Sequence, residues 1–205
     1  MNYLKFFLGL GWLAAIAIGN GVLLHYEFTA GEVRGVPKLW PSEAQIPRAN
    51  DQPTLLLFAH PRCPCTRATM GELATLIAHC PGLVDTRVIF FRPHGSDETW
   101  ARTDLWRTAQ AIPGVRVYSD EAAVEACKFN ATTSGQVVLY DAQGHLMFSG
   151  GITSSRGHEG DNTGLSAVID LLLHRPVAPQ ATPVFGCPLQ AATSKCGAQE
   201  ALCPR

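Results

Sequence analysis

The stretch Thr54-Leu-Leu-Leu-Phe-Ala-His-Pro-Arg-Cys-Pro-Cys65 decides the fold. Its first six residues form a continuous apolar run behind Pro53, which predicts a strand buried on both faces of a sheet. Pro64 follows at a point where proline favours the first turn of a helix. Apolar residues then recur at helical spacing as far as Cys80, and Pro81-Gly82 ends the helix. The stretch therefore predicts a strand that leads directly into a helix, with two cysteines at the junction.

The rest of the chain continues this alternation. Asp141-Ala-Gln-Gly144 is a strong hairpin signal between two apolar segments. Asp120 is a candidate cap for one helix, and Asp161 or Asn162 is a candidate cap for the last helix. The remaining strands are predicted at 86–91, 115–118, 136–140 and 145–148, and the remaining helices at 100–109, 120–127 and 165–172. The order β-α-β-α-β-α-β-β-α predicts an α/β fold whose parallel strands are followed by an antiparallel hairpin.

The N-terminal segment is apolar from Phe6 to Leu24, interrupted only by Asn20 and glycines. As a helix it reaches about 28 Å, close to the hydrocarbon core of a bilayer at about 30 Å. Lys5 precedes it and Glu27 follows, so we expect residues 6–24 to be a signal-anchor with a cytoplasmic N-terminus and a periplasmic domain. The alternative is a cleaved secretory signal, which also exports the domain.

Length and composition limit the number of domains and the classes of partner. The 205 residues allow one globular domain with appendages. Lys+Arg 16 against Asp+Glu 17, with no long basic run, predicts that nucleic acid is not a partner. We divide the chain into an anchor at 1–28, a linker at 29–52, a globular domain at 53–175 and a tail containing Cys and Pro at 176–205.

The segment Phe58-Ala-His-Pro-Arg-Cys-Pro-Cys65 resembles the active-site turn of the thioredoxin-like superfamily, over roughly 54–174. It is similar in particular to the RedB-type membrane-anchored thioredoxin-like proteins, through this turn, Thr133-Ser-Gly135, Gly150-Gly-Ile-Thr153 and Arg156-Gly-His-Glu-Gly-Asp161. The resemblance implies a thioredoxin-like fold with a helix-strand insertion. The sequence differs from thioredoxins in having only Pro64 between its cysteines, and Ser134-Gly135 where they carry a cis-proline.

Cysteine chemistry assigns different roles to the two thiols. An exported compartment is oxidising, so free thiols at a strand-to-helix turn indicate redox use. We predict that Cys63 is the N-cap and the nucleophile, because free N–H groups, the helix dipole and Arg62 stabilise its thiolate. Cys65 is then the resolving thiol. The alternative is that both are incidental core residues.

Fold topology predicts which residues surround Cys63. The ends of the parallel strands and of the hairpin meet at one edge of the sheet, so the loop at 93–95, the segment at 134–135 and the loop at 150–162 should converge there. We expect the loop at 150–162 to orient a substrate or move a proton; the alternative is a solvated loop. The predicted supporting residues are His60, Pro61, Arg62, Pro64, Ser134, Gly135, Arg156, His158 and Glu159.

These features predict an extracytoplasmic thiol oxidoreductase, an enzyme or an electron-transfer component, whose partner is a thiol- or disulfide-bearing protein or small molecule. We expect no cofactor and no metal. The alternative is a module that binds or delivers copper or another soft metal through the two thiolates and His60, His94 or His158.

The other five cysteines are assigned less specifically. Cys80 and Cys127 are predicted to pack as small apolar side chains. Cys187 lies in a tail that could fold back to the active edge. Cys196 and Cys203 could pair with each other, although connectivity cannot be read from spacing alone.

Overall fold

A five-stranded sheet forms the centre of the domain in this computed structural model, which describes residues 2–176 and 179–189. The strand order is β3-β2-β1-β4-β5; β1, β2 and β3 are parallel, and β4 and β5 are antiparallel to their neighbours. The strands are β1 (Thr54–Ala59), β2 (Asp85–Arg92), β3 (Val115–Glu121), β4 (Gln136–Tyr140) and β5 (Leu146–Gly150). This arrangement is a thioredoxin-like fold, so the predicted fold class is confirmed.

The described residues also form five α-helices. They are α1 (Asn2–Phe28), α2 (Cys65–His79), α3 (Asp104–Ala111), α4 (Val124–Lys128) and α5 (Thr163–Leu172). The helix predicted at 100–109 is divided into a 3-10 turn at Glu98–Trp100 and α3, because Thr103 between them is extended. Of the two candidate caps for α5, Asn162 is the one used: its side chain accepts a hydrogen bond from the Leu165 N–H.

The first strand is buried on both faces, as its apolar run predicts. Leu55 and Leu57 pack with α2, α3 and α5 on one face of the sheet. Leu56 and Phe58 point to the other face, where α4 lies. Because side chains alternate along a strand, β1 joins two hydrophobic cores, and the turn that follows it is held rigidly from both sides.

Residues 29–52, for which we predicted a linker, have no helix but pack against the second face of the sheet. Ile46 is buried there, and Trp40 contacts the rings of Phe129 and Tyr140 edge-on, with centroids 5.0 and 5.3 Å away. Backbone bonds from Trp40 N to Gly144 O and from Leu146 N to Lys38 O add a short extra edge to the hairpin. The segment is therefore part of the fold.

The N-terminal helix projects its side chains outward. Within Tyr3–Phe28 the mean hydropathy reaches 1.9 and none of the most apolar window is buried, so by length and composition it could cross a membrane. An N-terminal helix of this kind fits a single-pass anchor or a signal sequence. The helix runs from Asn2 to Phe28 and therefore extends beyond the predicted span of 6–24 at both ends.

A buried ion pair lies at the start of β2. The Asp85 carboxylate contacts Arg87 at 2.6 Å and Arg116 at 2.5 Å. The Arg87 side chain is 2% exposed, and within the described residues its Nε and Nη1 atoms have no hydrogen-bond partner. Asp85 is consequently the main compensation for a buried guanidinium.

Candidate functional site

The Cys-Pro-Cys turn lies at the N-terminus of α2, at the edge where β1 ends. The helix begins at Cys65, one residue later than predicted, although Pro64 already has helical dihedral angles of φ −64° and ψ −32°. Backbone bonds from Cys63 N to His60 O (3.1 Å) and from Thr66 N to Cys63 O (3.2 Å) close the turn. Cys63 is 1% exposed and Cys65 is 6% exposed, so both thiols lie beneath the surface.

The Cys63 thiol has a lowered pKa. Burial alone raises this pKa, but hydrogen bonds from the side chains and backbone N–H groups of Thr66 and Cys187 outweigh it by stabilising the thiolate. Cys63 is therefore the thiol of the pair that ionises first. We expected the charge of Arg62 to stabilise the Cys63 thiolate. Its guanidinium instead lies over the Trp100 ring, 4.4 Å from the ring centroid.

A chain of hydroxyl groups leads to the Cys63 sulfur. The His60 N–H donates to Ser134 Oγ over 2.7 Å, and Ser134 Oγ lies 2.6 Å from Thr66 Oγ1. The Thr66 hydroxyl donates its single proton to the Cys63 sulfur and so stabilises the thiolate. Ser134 must therefore be the donor in the bond between Ser134 and Thr66. Ser134 and Thr66 are fully buried, which makes this polarisation stronger than it would be in water.

The Cys65 thiol has a raised pKa, the opposite of its neighbour. Burial is the main cause, and the negative charge of Cys63 adds to it. The Arg156 guanidinium, which hydrogen-bonds Cys65, acts in the other direction. The site therefore favours ionisation of Cys63 over ionisation of Cys65, and a cation lies where it would stabilise Cys65 when that thiol becomes charged.

Arg156 joins the loop after β5 to three other parts of the chain. Its Nε lies 3.1 Å from Tyr26 O and 3.2 Å from Thr29 O, at the end of α1. Its Nη1 donates to Gly186 O over 2.6 Å, and its guanidinium also lies over the Tyr26 ring. Arg156 thus connects the end of the apolar helix, the C-terminal segment and the Cys65 thiol.

The residues before Cys63 shape the outer wall of the turn. The His60 ring stacks on Phe91, with centroids 5.6 Å apart, and its Nδ1 accepts the Arg62 N–H. Burial and then the Arg62 charge lower the pKa of His60, which favours the neutral ring. Pro61 is buried, and its carbonyl accepts the Thr103 hydroxyl over 2.9 Å. Gly135 has φ +93° and donates its N–H to Phe58 O, which continues the pairing of β4 with β1.

The other predicted residues of the converging loops make different contacts. His158 faces Glu27 of α1 at 4.0 Å, and the Glu159 carboxylate lies against Gly71 in the middle of α2. His94 is 87% exposed and pairs with Glu121 at 3.1 Å. Across residues 2–176 and 179–189, no group of three or more His, Cys, Asp or Glu side chains could hold a metal ion.

The described part of the tail contains a residue that the predicted site left out. Cys187 is half-buried, and its thiol hydrogen-bonds Cys63. Burial and the charges of Cys63 and Cys65 raise the pKa of Cys187 to about 12. The sequence indicated that the tail carrying Cys187 could fold back to the active edge, and the described part of the tail does so, but Cys187 was given no role in the site.

Thr66 was also missed, although a hydroxyl three residues after Cys63 is within reach on the first turn of a helix. Of the remaining cysteines, Cys80 is free and fully buried in the core, as predicted. Cys127 is disulfide-bonded, so its prediction as a side chain that only packs was wrong. The predicted pairing of Cys196 with Cys203 lies outside the described residues.

No protein-family model matches the chain, and no curated protein sequence matches it significantly. Solved structures do match. An uncharacterised conserved protein from Geobacillus kaustophilus aligns with 82% of this chain and 95% of its own, at 19% identity and a TM-score of 0.56. A hypothetical protein from Sinorhizobium meliloti 1021 aligns with 79% of this chain and 98% of its own, at 16% identity and a TM-score of 0.60.

A secreted disulfide oxidoreductase from Mycobacterium tuberculosis also aligns, over 60% of this chain and 81% of its own, at 17% identity and a TM-score of 0.42. At these identities the matches concern the fold alone. The resemblance to RedB-type proteins stays a prediction.

Proposed function

We propose that this protein is a membrane-anchored thiol–disulfide oxidoreductase that works outside the cytoplasm, with Cys63 as nucleophile and Cys65 as resolving thiol. One observation carries the proposal: two buried thiols share the N-terminus of α2, and their surroundings move their pKa values in opposite directions. A structural pair of core cysteines needs no hydroxyl chain aimed at one sulfur and no guanidinium aimed at the other.

The exchange follows from the two protonation states. The Cys63 thiolate attacks one sulfur of a partner disulfide, forming a mixed disulfide and releasing the partner's other sulfur as a thiolate, which takes up a proton. Cys65 then loses its proton and attacks Cys63 Sγ, forming the Cys63–Cys65 disulfide and releasing the second partner thiolate. Two electrons pass from the two cysteines to the partner disulfide. The reverse sequence oxidises a partner dithiol.

Arg156 supports the second step. A Cys65 thiolate is disfavoured by burial and by the charge of Cys63. Cys63 loses its charge once it forms the mixed disulfide, and the Arg156 cation remains beside Cys65. The loss of the Cys63 charge and the remaining Arg156 cation both favour ionisation of Cys65 at the moment when it must act as the nucleophile.

The location of the site favours partners at a membrane surface. Arg156 bonds the carbonyls of Tyr26 and Thr29, at the C-terminal end of the apolar helix. With the anchor retained and the N-terminus in the cytoplasm, the thiols lie close to the extracytoplasmic surface of the membrane that the anchor spans. Their partners would be exported proteins or small molecules that carry a thiol or a disulfide.

The test uses the full-length protein in detergent and a fluorogenic peptide held by a disulfide, with dithiothreitol as the terminal reductant. Cys63→Ser should abolish protein-dependent turnover, and Cys65→Ser should slow it. Cys80→Ala is the matched control, because Cys80 is equally free but lies in the core at the far end of α2. Full turnover by Cys63→Ser would contradict the proposal.

A further inference from the structure

The C-terminal segment 181–189 lies along the same edge of the fold as the Cys-Pro-Cys turn. The Ser134 N–H donates to Cys187 O over 2.8 Å, and the Leu189 N–H donates to Thr132 O over 2.9 Å. Thr133 and Pro188 form an antiparallel bridge between these bonds. The segment is thus a short strand paired with residues 132–134, directly beside Cys63.

Several contacts hold this strand in register around Cys187. Val184 and Leu189, on either side, are buried. Arg156 binds Gly186 O, and Gly186 is so close to Ser134 that a Cβ there would lie 1.8 Å from Ser134 O. Gly31 donates its N–H to Val184 O over 2.8 Å, which ties the segment to the residues after α1. Tertiary contacts on both sides of Cys187 therefore fix its position next to Cys63.

The consequence is a third sulfur at the site. The Cys187 side chain hydrogen-bonds Cys63, and Cys63 is only 1% exposed beneath the segment. Of the four free cysteines in the described part of the chain, only Cys80 lies elsewhere. Within residues 2–176 and 179–189, Cys63 therefore has two candidate exchange partners, Cys65 at the start of α2 and Cys187 on the paired strand.

We propose that Cys187 is a third redox residue, which resolves mixed disulfides on Cys63 by closing a Cys63–Cys187 disulfide. The inference rests on the proposed function of Cys63 as the nucleophile. It makes the C-terminal segment a tethered reaction partner and a cover for the thiolate.

The steps balance with a low-molecular-weight disulfide such as oxidised glutathione. The Cys63 thiolate attacks it, forming Cys63–S–S–glutathione and releasing a glutathione thiolate. That thiolate takes the proton of the Cys187 thiol. The Cys187 thiolate then attacks Cys63 Sγ, the bond to glutathione breaks, and a second glutathione thiolate leaves. Two electrons pass from Cys63 and Cys187 to the two glutathione sulfurs.

Electrostatics favours this order of events. The charge of Cys63 raises the pKa of Cys187 while both are reduced, and the Cys187 thiol then serves as a hydrogen-bond donor. Once Cys63 is neutral in a mixed disulfide, that charge is gone and the Arg156 cation remains near Cys187. Cys187 is thereby converted from a donor into a nucleophile.

The test treats the reduced full-length protein with oxidised glutathione at neutral pH, quenches it with acid, and maps the disulfides by mass spectrometry without reduction. Cys65→Ser should form a Cys63–Cys187 disulfide and retain little glutathione. Cys65→Ser/Cys187→Ser should retain glutathione on Cys63. In the same background, Cys65→Ser/Cys80→Ala is the matched control and should behave like Cys65→Ser, because Cys80 is a free thiol away from the site.

The outcomes separate the two proposals. Retention of glutathione on Cys63 in Cys65→Ser, with Cys187 present and unlinked to Cys63, would overturn the role of Cys187 and leave Cys63 as the nucleophile. Absence of glutathione on Cys63 in Cys65→Ser/Cys187→Ser would overturn the proposed function itself. The Cys63–Cys187 link in Cys65→Ser, lost only when Cys187 is replaced, would support both.

Discussion

Replacing Thr66 by Val should raise the pKa of Cys63. Valine keeps the shape of threonine but removes the hydroxyl that donates to the Cys63 thiolate. A hydrogen bond to a charged group contributes about 1.5–3 kcal/mol. At about 1.36 kcal/mol per pKa unit, its loss corresponds to a rise of about one to two units. The remaining donors from Cys187 and the backbone keep the thiolate partly stabilised.

The assay is the pH dependence of iodoacetamide alkylation at Cys63, followed by peptide mass. A thiol reacts as its thiolate, so the rate rises as the pH passes upward through the pKa. For Thr66→Val the rise should move to higher pH, and at a pH below both pKa values the rate should fall about 10- to 100-fold. The shift of the midpoint decides the test, because the burial of Cys63 also affects the absolute rate.

Two further variants are compared with Thr66→Val, one as a control and one with a smaller expected effect. Thr75→Val changes a hydroxyl on the same helix that bonds Gly71 O at an exposed position, so the midpoint should not move. Ser134→Ala should move it less than Thr66→Val, because Ser134 acts on Cys63 only through Thr66. An unchanged midpoint in a folded Thr66→Val protein would refute the hydroxyl chain as the cause of the lowered pKa.

Asp85→Ala should lower the free energy of unfolding in urea by about 3–5 kcal/mol, because it leaves the buried Arg87 uncompensated; a loss much below 1 kcal/mol would show that Arg87 finds another partner. Gly186→Ala should displace the C-terminal segment, since the new Cβ meets Ser134 O at 1.8 Å, and should speed Cys187 alkylation. Gly35→Ala, which has open space at its Cβ, is the control, and equal Cys187 rates would argue against the close fit. Protein purified from membranes should retain the N-terminal helix in its intact mass, and a mass that lacks this helix would identify a cleaved signal instead.

Much of the fold was predictable because local signals agree along the chain. The apolar run of β1, the helical spacing after Pro64 and the turn at 141–144 each act over a few residues. The predicted cap Asp120 does accept the N–H groups of Glu125 and Ala126, but it lies in β3, and the N-cap residue of α4 is Ala123. The bounds of the elements differ from the predictions by one or two residues in most cases.

The site was less predictable, because its contacts join distant residues. Cys63 and Cys65 were visible in the turn, and topology indicated that the loop containing Arg156 returns to the same edge. The contact of Arg156 with the end of α1 spans about 130 residues of chain and leaves no periodic signal. His158 and Glu159, from the same loop, face α1 and α2, because a loop's side chains follow no regular alternation.

The sequence by itself determined the order of strands and helices, the Cys-Pro-Cys turn at a helix start, and an N-terminal helix apolar enough for a membrane. Each depends on interactions between near neighbours, which a sequence pattern records. Only the tertiary structure decided that residues 29–52 cover a face of the sheet and that Cys187 lies against Cys63. Those segments are held by backbone hydrogen bonds and by a few buried side chains, such as Ile46 and Val184. Apart from proline, every residue carries the same backbone donor and acceptor, so the sequence does not record which of these groups pair across long distances.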